Sequence, residues 1–378
     1  MTTLAEPLLT IVSMPDFLNG DVGDCRIRAG RGWDPGDPNS INDSYRRGIE
    51  VVLDEVEFEQ PDAVLVAGDL VEGHWGVDVE KTGIFGPVGT EREKLDAVRN
   101  AGNLYYREWR LRFAARELDV YPAVGDHEIG DNPWNPNDFK YRAYEEFKDV
   151  WARNFTTNWG EGSKYPLRPV GTNWEDTAYA VKPSPEVLLV TCDCWRKQSD
   201  GVHATYTNAQ LDWIQQTITK ARTEGVQWVL VQAHVPVITP VRTFASSSMS
   251  LEEGTSSAFW QLLKTLNVDM YLCGEVHDMT TWSDGPLVQV AHGSITALAR
   301  QNYLLLRIYA DRIECELKRF TGQVEDREHE LWQTSWKRPP SRFSYQRGTT
   351  VVGAMTIDKS TGTTRLRNRS GRMLDGIT

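Results

Sequence analysis

Short apolar runs alternate with longer amphipathic stretches along most of the chain. The runs at 8–14, 62–67, 120–124, 227–233 and 268–273 are predicted to form buried strands, because each is short, mostly apolar and followed by Gly, Pro or a polar residue. Buried strands with helices between them are typical of βαβ units. The pattern therefore predicts an α/β fold.

Helical spacing fills much of the sequence between these runs. The predicted helices are 40–58, 91–118, 136–154, 208–223 and 255–266. Further strands are predicted at 178–181, 187–192, 287–291, 303–309 and 312–318. The last three strands have no helices between them, which favours antiparallel pairing.

The C-terminal part of the chain differs in charge from the rest. From Leu331 onward, basic residues outnumber acidic ones nine to two, and 350–367 has a hairpin-like pattern. We therefore predict a catalytic domain over 1–320 and a basic extension over 321–378. The extension is interpreted as an arm, a lid or a small β-hairpin, with a solvated tail as the alternative.

Candidate ligand residues follow five of the buried strands directly. They are Asp16, Asp69, Asp126 with His127 and Glu128, His234, and Glu275 with His277. In open α/β sheets, ligands gather beyond the carboxyl ends of the strands. Any one of these residues could be a turn residue, a helix cap or a satisfied core histidine. Together they predict a metal site, because carboxylates and imidazoles that converge on one point need a cation between them.

These residues, in this order, resemble the calcineurin-like metallophosphoesterase superfamily, which includes the purple acid phosphatases. The resemblance covers about residues 8–320. The motifs that carry it are Asp16, Gly68-Asp69, Gly125-Asp126-His127-Glu128, His234 and Gly274-Glu275-Val276-His277. It implies a four-layer αββα sandwich, in which helices flank two mixed sheets.

The resemblance also implies a centre of two metal ions, at which a metal-bridging hydroxide hydrolyses a phosphate ester. One ion would be held by Asp16, Asp69 and His277. The other would be held by Asp69, Asp126, His234 and Glu275. His127 would act near the leaving-group oxygen, with Glu128 fixing its ring.

Three positions depart from the family pattern. Leu18 stands where the first motif normally has a histidine ligand, and Glu72 is a candidate replacement. Rival candidates for that position are Asn19, Asp21 and His74. Asp126 stands where the family usually has Asn, and Glu275 where it usually has His. Both changes make the centre richer in carboxylate.

A carboxylate-rich centre changes the expected ions and substrate. Oxygen ligands favour harder ions such as Mn²⁺, Mg²⁺ or Fe³⁺ over Zn²⁺. The two cofactor ions are expected to be Mn²⁺ or an Fe/Mn pair, ahead of Mg²⁺ or Zn²⁺. A less positive centre favours a monoanionic phosphodiester over a dianionic monoester, or calls for an arginine clamp on the phosphate. The candidate clamps are Arg26, Arg28, Arg31 and Arg46, for which solvated surface charge is the alternative. His203 and His292 are interpreted as structural.

Composition narrows the choice of partners. The net charge of −12 argues against a general nucleic-acid or anionic-membrane binder, so nucleic acid is a possible but not a favoured partner. No apolar run reaches the roughly 18–20 residues of a membrane span. The five cysteines are interpreted as reduced thiols, and a cytoplasmic location is predicted. Two alternatives to the hydrolase are a non-catalytic metal-binding scaffold and a nuclease or nucleotide phosphodiesterase.

Overall fold

A computed structural model describes most of the chain outside several loops and the two ends. It describes residues 6–17, 43–71, 76–78, 81, 83, 85–157, 164–238, 249–294, 302–324, 343–360, 364–368 and 373–374.

Strands and helices are interspersed through the first three quarters of the chain, and the four strands between 179 and 204 follow one another without a helix between them. The strands are β1 (Leu9–Ser13), β2 (Ala63–Val66), β3 (Val120–Pro122), β4 (Tyr179–Ser184), β5 (Val187–Thr191), β6 (Trp195–Gln198), β7 (Gly201–Ala204), β8 (Trp228–Gln232), β9 (Met270–Cys273), β10 (Thr280–Asp284), β11 (Leu287–Ala291), β12 (Asn302–Ile308), β13 (Arg312–Val324), β14 (Phe343–Asp358), β15 (Thr364–Asn368) and β16 (Met373–Leu374). The α-helices are α1 (Asp43–Phe58), α2 (Glu91–Ala114), α3 (Phe139–Arg142), α4 (Tyr144–Ala152), α5 (Asn208–Thr223) and α6 (Ala258–Thr265).

Two mixed sheets form the centre of the fold. In the described residues the first sheet has the order β16-β15-β14-β13-β12-β1-β2-β3, and the second has the order β10-β11-β9-β8-β5-β4. β1, β2 and β3 are mutually parallel neighbours, and so are β5, β8, β9 and β11. The predicted α/β fold with two mixed sheets and helices is confirmed. Its parallel strands end at the same edge of each sheet.

Side chains of the second sheet bind the backbone of the first. Gln232 Nε2 donates to Tyr121 O at 2.9 Å, and Trp228 Nε1 donates to Tyr309 O at 2.8 Å. Both side chains are fully buried. Because such groups must be satisfied inside the core, these bonds fix one sheet against the other and bring the ends of β3 and β8 together.

Local sequence signals explain where α2 begins and how it is held. Thr90 caps the helix by accepting from Glu93 N, and the Glu93 side chain accepts from Thr90 N, which makes a capping box. Trp109 on the buried face of α2 stacks on Phe113 and donates to Leu70 O at 2.7 Å. The helix therefore supports the loop that follows β2.

The C-terminal strands extend the first sheet. β14 pairs antiparallel with β13 along the whole of β13, and β15 and β16 follow at its edge. Gly348 N donates to the carboxylate of Glu55 on α1 at 2.7 Å. β13 itself runs four residues past the predicted boundary at 320. The division into two domains stays a prediction.

None of the helices in the described ranges is long and apolar enough to cross a bilayer. The four cysteines that the structure describes have free, buried thiols, namely Cys192, Cys194, Cys273 and Cys315.

The short hairpin β6–β7 carries a histidine between two carboxylates. His203 Nδ1 lies 2.5 Å from Glu252 Oε1, and its Nε2 lies 3.0 Å from Asp200 Oδ1. A neutral imidazole can donate from one nitrogen only, so both contacts require the imidazolium form. The hydrogen bond to Glu252 is the main reason that the pKa of His203 is raised.

This raised pKa predicts a pH-dependent contribution to stability. The contribution is complete below the ordinary histidine pKa of about 6.5 and is lost as the pH rises through the folded-state value. We expect His203→Gln to lower the thermal midpoint at pH 5.5 and to change it little at pH 9. Paired melting curves of both proteins across this range test the prediction. A thermal midpoint of His203→Gln that lies below that of wild type by the same amount at every pH would contradict the prediction.

Candidate metal centre

The five predicted ligand motifs meet at the carboxyl ends of two sets of parallel strands. Asp16, Asp69 and Asp126 follow β1, β2 and β3 in the first sheet. His234 follows β8, and Glu275 and His277 follow β9, in the second sheet. All six lie in the described part of the chain, and Asp16, Asp69, Asp126, His234 and Glu275 are buried.

Two groups of ligand atoms share Asp69. Asp16, Asp69 and His277 form one group, and Asp69, Asp126 and His234 form the other, with the ligand atoms of each within 4.8 Å of one another. His277 Nε2 lies 3.5 Å from Asp16 Oδ1. Two groups joined by one carboxylate could hold a pair of ions with Asp69 between them.

His234 is oriented by the backbone. Its Nδ1 lies 2.7 Å from Ala67 O, and since a carbonyl only accepts, Nδ1 carries the proton. Nε2 faces three carboxylates: Asp126 Oδ1 at 3.0 Å, Asp69 Oδ2 at 3.4 Å and Glu275 Oε2 at 3.5 Å. Burial opposes it, but the charge of Asp69 and the contacts with all three carboxylates raise the pKa of His234 well above its ordinary value, so that without an ion a proton on Nε2 takes the place of a cation. A histidine fixed in this way is typical of a metal ligand.

The electrostatics of the cluster fit a cation. Burial raises the pKa of Asp69 well above its ordinary value, and the charge of Asp126 adds to that effect. Although burial opposes it, the neighbouring His127 and His234 lower the pKa of Asp126. Asp16 Oδ2 is buried without a hydrogen-bond partner in the described residues, and the buried Asp126 Oδ1 and His234 Nε2 face each other at 3.0 Å. Carboxylate oxygens and an imidazole nitrogen that converge in this way are suitable donors for divalent ions, which would displace the proton from the imidazole on binding.

Four of the six residues have a left-handed backbone. The φ angles are 62° at Asp16, 62° at Asp69, 66° at Glu275 and 51° at His277. This region is unfavourable for residues other than glycine, and such strain is concentrated at functional sites. Each of these residues therefore marks a sharp bend of the backbone after its strand.

His127 lies at the side of the cluster nearest Asp131, and its ligand atoms form a third group with those of Asp126 and Asp131, all within 4.8 Å of one another. Its Nε2 lies 3.9 Å from Asp69 Oδ2 and 3.9 Å from Asp131 Oδ1, and its backbone N donates to Asp69 Oδ1 at 3.2 Å. Burial raises the pKa of Asp131 to about 6. Asn132 Nδ2 links Asp126 Oδ2, at 3.0 Å, with Asp131 Oδ1, at 3.2 Å. The sequence reasoning missed Asp131 and Asn132, although they lie only three and four residues after the end of the third motif.

The predicted role of Glu128 needs correction. Its two oxygens accept from the backbone N of Asp69, Leu70 and Gly125 at 2.7, 2.8 and 2.7 Å, whereas the prediction had them fix the His127 ring. The physical reason is that two adjacent loops leave three buried N–H groups without a carbonyl partner, and a buried carboxylate satisfies all three. Glu128 thus ties the second motif to the third.

Removing this carboxylate should destabilise the protein. We expect Glu128→Ala to cost about 3 kcal/mol or more, because it leaves three buried N–H groups unpaired at about 1–3 kcal/mol each. Glu128→Gln keeps one acceptor oxygen and should cost less. Urea unfolding of both variants measures this, with the exposed Glu145→Ala on α4 as control. A Glu128→Ala protein as stable as that control would contradict the assignment.

Several predicted site residues lie outside the described residues. These are Arg26, Arg28, Arg31 and Glu72, together with the alternatives Asn19, Asp21 and His74. Arg46 lies in α1, at a position where only the backbone is described. The phosphate clamp and the replacement for the missing first-motif histidine therefore stay predictions.

Comparisons with known proteins agree with this arrangement. The family described as calcineurin-like phosphoesterase matches residues 20–279. An acid phosphatase of Aspergillus ficuum is 31% identical over 102 residues, which cover 27% of this chain and 15% of that protein. The chain thus matches only a small part of that relative's length.

Two solved structures share the fold. A dimetal phosphatase from Danio rerio superposes with a TM-score of 0.50 at 13% identity, covering 82% of this chain and 96% of that one. The structure of PhoD superposes with a TM-score of 0.53 at 12% identity, covering 99% of this chain and 73% of that one. Since the family match spans more than half of the sequence, the chain belongs to the calcineurin-like phosphoesterase family.

Proposed function

We propose that this protein hydrolyses a phosphate ester at a centre of two metal ions. The observation that supports it best is the pair of ligand groups that share Asp69. One ion would be bound by Asp16, Asp69 and His277, and the other by Asp69, Asp126 and His234 with Glu275. The similarity to an acid phosphatase supports the same class of substrate.

The ions, when bound, supply Lewis acidity toward the phosphate and a nucleophile from water at neutral pH. Residues of the chain position the ligands and the substrate. Ala67 O holds His234 in one tautomer, and Glu128 holds the second and third motifs in register. His127, which is 8% exposed, lies at the rim of the cluster, where it can hydrogen-bond the leaving-group oxygen.

The negative charge of the proposed ligand residues affects which ions they bind and which phosphate ester the centre favours. Four carboxylates, Asp16, Asp69, Asp126 and Glu275, balance the charge of two divalent ions before substrate binds. Such oxygen-rich ligation favours harder ions over Zn²⁺, and we propose Mn²⁺ or an Fe/Mn pair ahead of Mg²⁺. We therefore propose a phosphodiester, with one negative charge on its phosphate, over a dianionic monoester.

The test combines metal content with turnover. Protein purified without chelator is analysed for metals, and hydrolysis of bis-p-nitrophenyl phosphate and p-nitrophenyl phosphate is measured with Mn²⁺, Mg²⁺ or Zn²⁺ added. The proposal predicts about two ions per chain and turnover of the diester that Mn²⁺ stimulates most.

Other results would redirect the proposal. Faster monoester turnover would overturn the substrate preference but keep the hydrolase. Bound metal without turnover of either ester would favour the non-catalytic scaffold. Protein that contains no metal and hydrolyses neither ester would contradict the proposed function. The cytoplasmic location stays a prediction, which fractionation of expressing cells would check.

A further inference from the structure

The third motif has an aspartate, Asp126, where an asparagine is usual. An asparagine side chain has one oxygen to offer an ion, whereas an aspartate has two oxygens and a negative charge. One of them, Asp126 Oδ1, lies 3.0 Å from His234 Nε2, on the side of the ion proposed at Asp69, Asp126 and His234. The partner of the second oxygen therefore decides how this carboxylate can bind the ion.

The second oxygen of Asp126 is bound by the side chain of Asn132. Asn132 Nδ2 donates to Asp126 Oδ2 at 3.0 Å and to Asp131 Oδ1 at 3.2 Å. An amide placed between two carboxylates presents its NH₂ group to them, because its oxygen cannot donate. Hydrogen bonds to charged acceptors are stronger than those between neutral groups, so this contact holds the Asp126 carboxylate in one orientation.

The backbone after the third motif brings this amide back to Asp126. Asp126 O accepts from Ile129 N at 3.1 Å and from Asp131 N at 2.8 Å, so the chain closes a tight loop. Asp131 lies at its bend, with a left-handed φ of 64°. The buried Trp134 donates from Nε1 to Ile129 O at 2.8 Å and fixes the end of the loop. The position of Asn132 is therefore set by the loop itself.

We propose that Asn132 is a positioning residue of the metal centre, which binds Asp126 Oδ2 and so leaves Oδ1 as the one oxygen that Asp126 offers to its ion. The amide also compensates part of the additional negative charge, so that Asp126 can act as the usual asparagine would. This inference rests on the proposed function, because it requires the two-ion centre. Loss of such an outer partner typically weakens metal binding about 10- to 100-fold.

The test is a double-mutant cycle of Mn²⁺ affinity, measured on the full chain after chelator treatment and dialysis. Asn132→Leu removes the amide but keeps a side chain of similar size. It is made in wild type and in Asp126→Asn, which supplies the residue usual in the motif and has no second carboxylate oxygen that needs a donor.

Free Mn²⁺ is followed by its electron paramagnetic resonance signal. Asn137→Leu, at an exposed position of the same segment, is the matched control. Circular dichroism of the metal-free proteins checks the fold, and Asn132→Ala takes the place of Asn132→Leu if the leucine variant does not fold.

We expect wild type to bind about two Mn²⁺ per chain, and Asn132→Leu to weaken one of the two sites about tenfold or more while the control keeps both. In the Asp126→Asn background the same change should weaken binding less than about twofold. A loss of similar size in both backgrounds would overturn the inference, because it would mean that Asn132 only maintains the shape of the loop. So would an unchanged affinity of Asn132→Leu. If wild type binds no Mn²⁺, the proposed two-ion centre itself fails.

Discussion

Replacing Asp69 with asparagine is expected to abolish metal-dependent turnover and to stabilise the metal-free protein. Asp69 is the carboxylate common to both ligand groups, so its loss weakens both ions. We expect a loss of about 1,000-fold in kcat/KM, equivalent to about 4 kcal/mol of transition-state stabilisation. Asparagine tolerates the left-handed φ of 62° and still offers an oxygen to His127 N, so the loop should keep its shape.

The expected gain in stability of the metal-free Asp69→Asn protein comes from removing a buried charge. Burial, together with the charge of Asp126, raises the pKa of Asp69, so the ionised carboxylate destabilises the metal-free fold. The advantage of the variant should be largest above the folded-state pKa and should vanish as the pH falls below the ordinary carboxyl value of about 3.9. Thermal midpoints in chelator at several pH values measure it.

Asp212→Asn on the surface of α5 is the control for the change in net charge. Metal-dependent turnover that survives in Asp69→Asn at the level of this control would remove Asp69 from the centre. A variant that is less stable than wild type in chelator at neutral pH would show that no carboxylate repulsion is relieved. The two readouts thus examine ligation and electrostatics separately.

The regular elements could be predicted because their signals are local. The helix predicted at 208–223 is α5 with the same bounds, since its apolar period and flanking residues lie within one segment. The hairpin β6–β7 was not predicted, because its residues are largely polar and alternate weakly. The continuation of the first sheet by β14 depends on pairing with β13, a contact between distant segments that no local pattern encodes.

The candidate centre was predictable in outline for a topological reason. Parallel neighbouring strands end at the same edge, so residues that follow them directly must converge. What could not be predicted is which groups each side chain would satisfy. Glu128 illustrates this, because its partners Asp69 and Leu70 lie 59 and 58 residues away. His292 shows the converse: its position after an apolar run was visible, but its lack of a hydrogen-bond partner among the described residues was not.

The last expected effect concerns Gly125, the first residue of the third motif, which lies against Asp69 of the second motif. A Cβ atom at this position would lie 2.1 Å from Asp69 Oδ1, 2.6 Å from Asp69 N and 2.8 Å from Glu128 Oε2. Two of these atoms take part in the hydrogen bond from Asp69 N to Glu128, and the third belongs to the shared carboxylate. The clash therefore cannot be relieved by moving one flexible side chain.

We expect Gly125→Ala to destabilise the protein by about 3 kcal/mol or more, at the upper end of overpacking effects, and to prevent binding of the full pair of ions. Gly225→Ala is the matched control. Its φ of 94° is costly for alanine, by about 1–2 kcal/mol, but a Cβ atom there meets nothing within 4 Å. Urea unfolding of both variants measures their stability, and Mn²⁺ stoichiometry measures how many ions each binds. If Gly125→Ala unfolds like the control and still binds two ions, the tight contact between the loops is not what shapes the centre. If it loses both stability and metal while the control loses only a little stability, the closeness of the second and third motifs is a condition for holding the pair of ions.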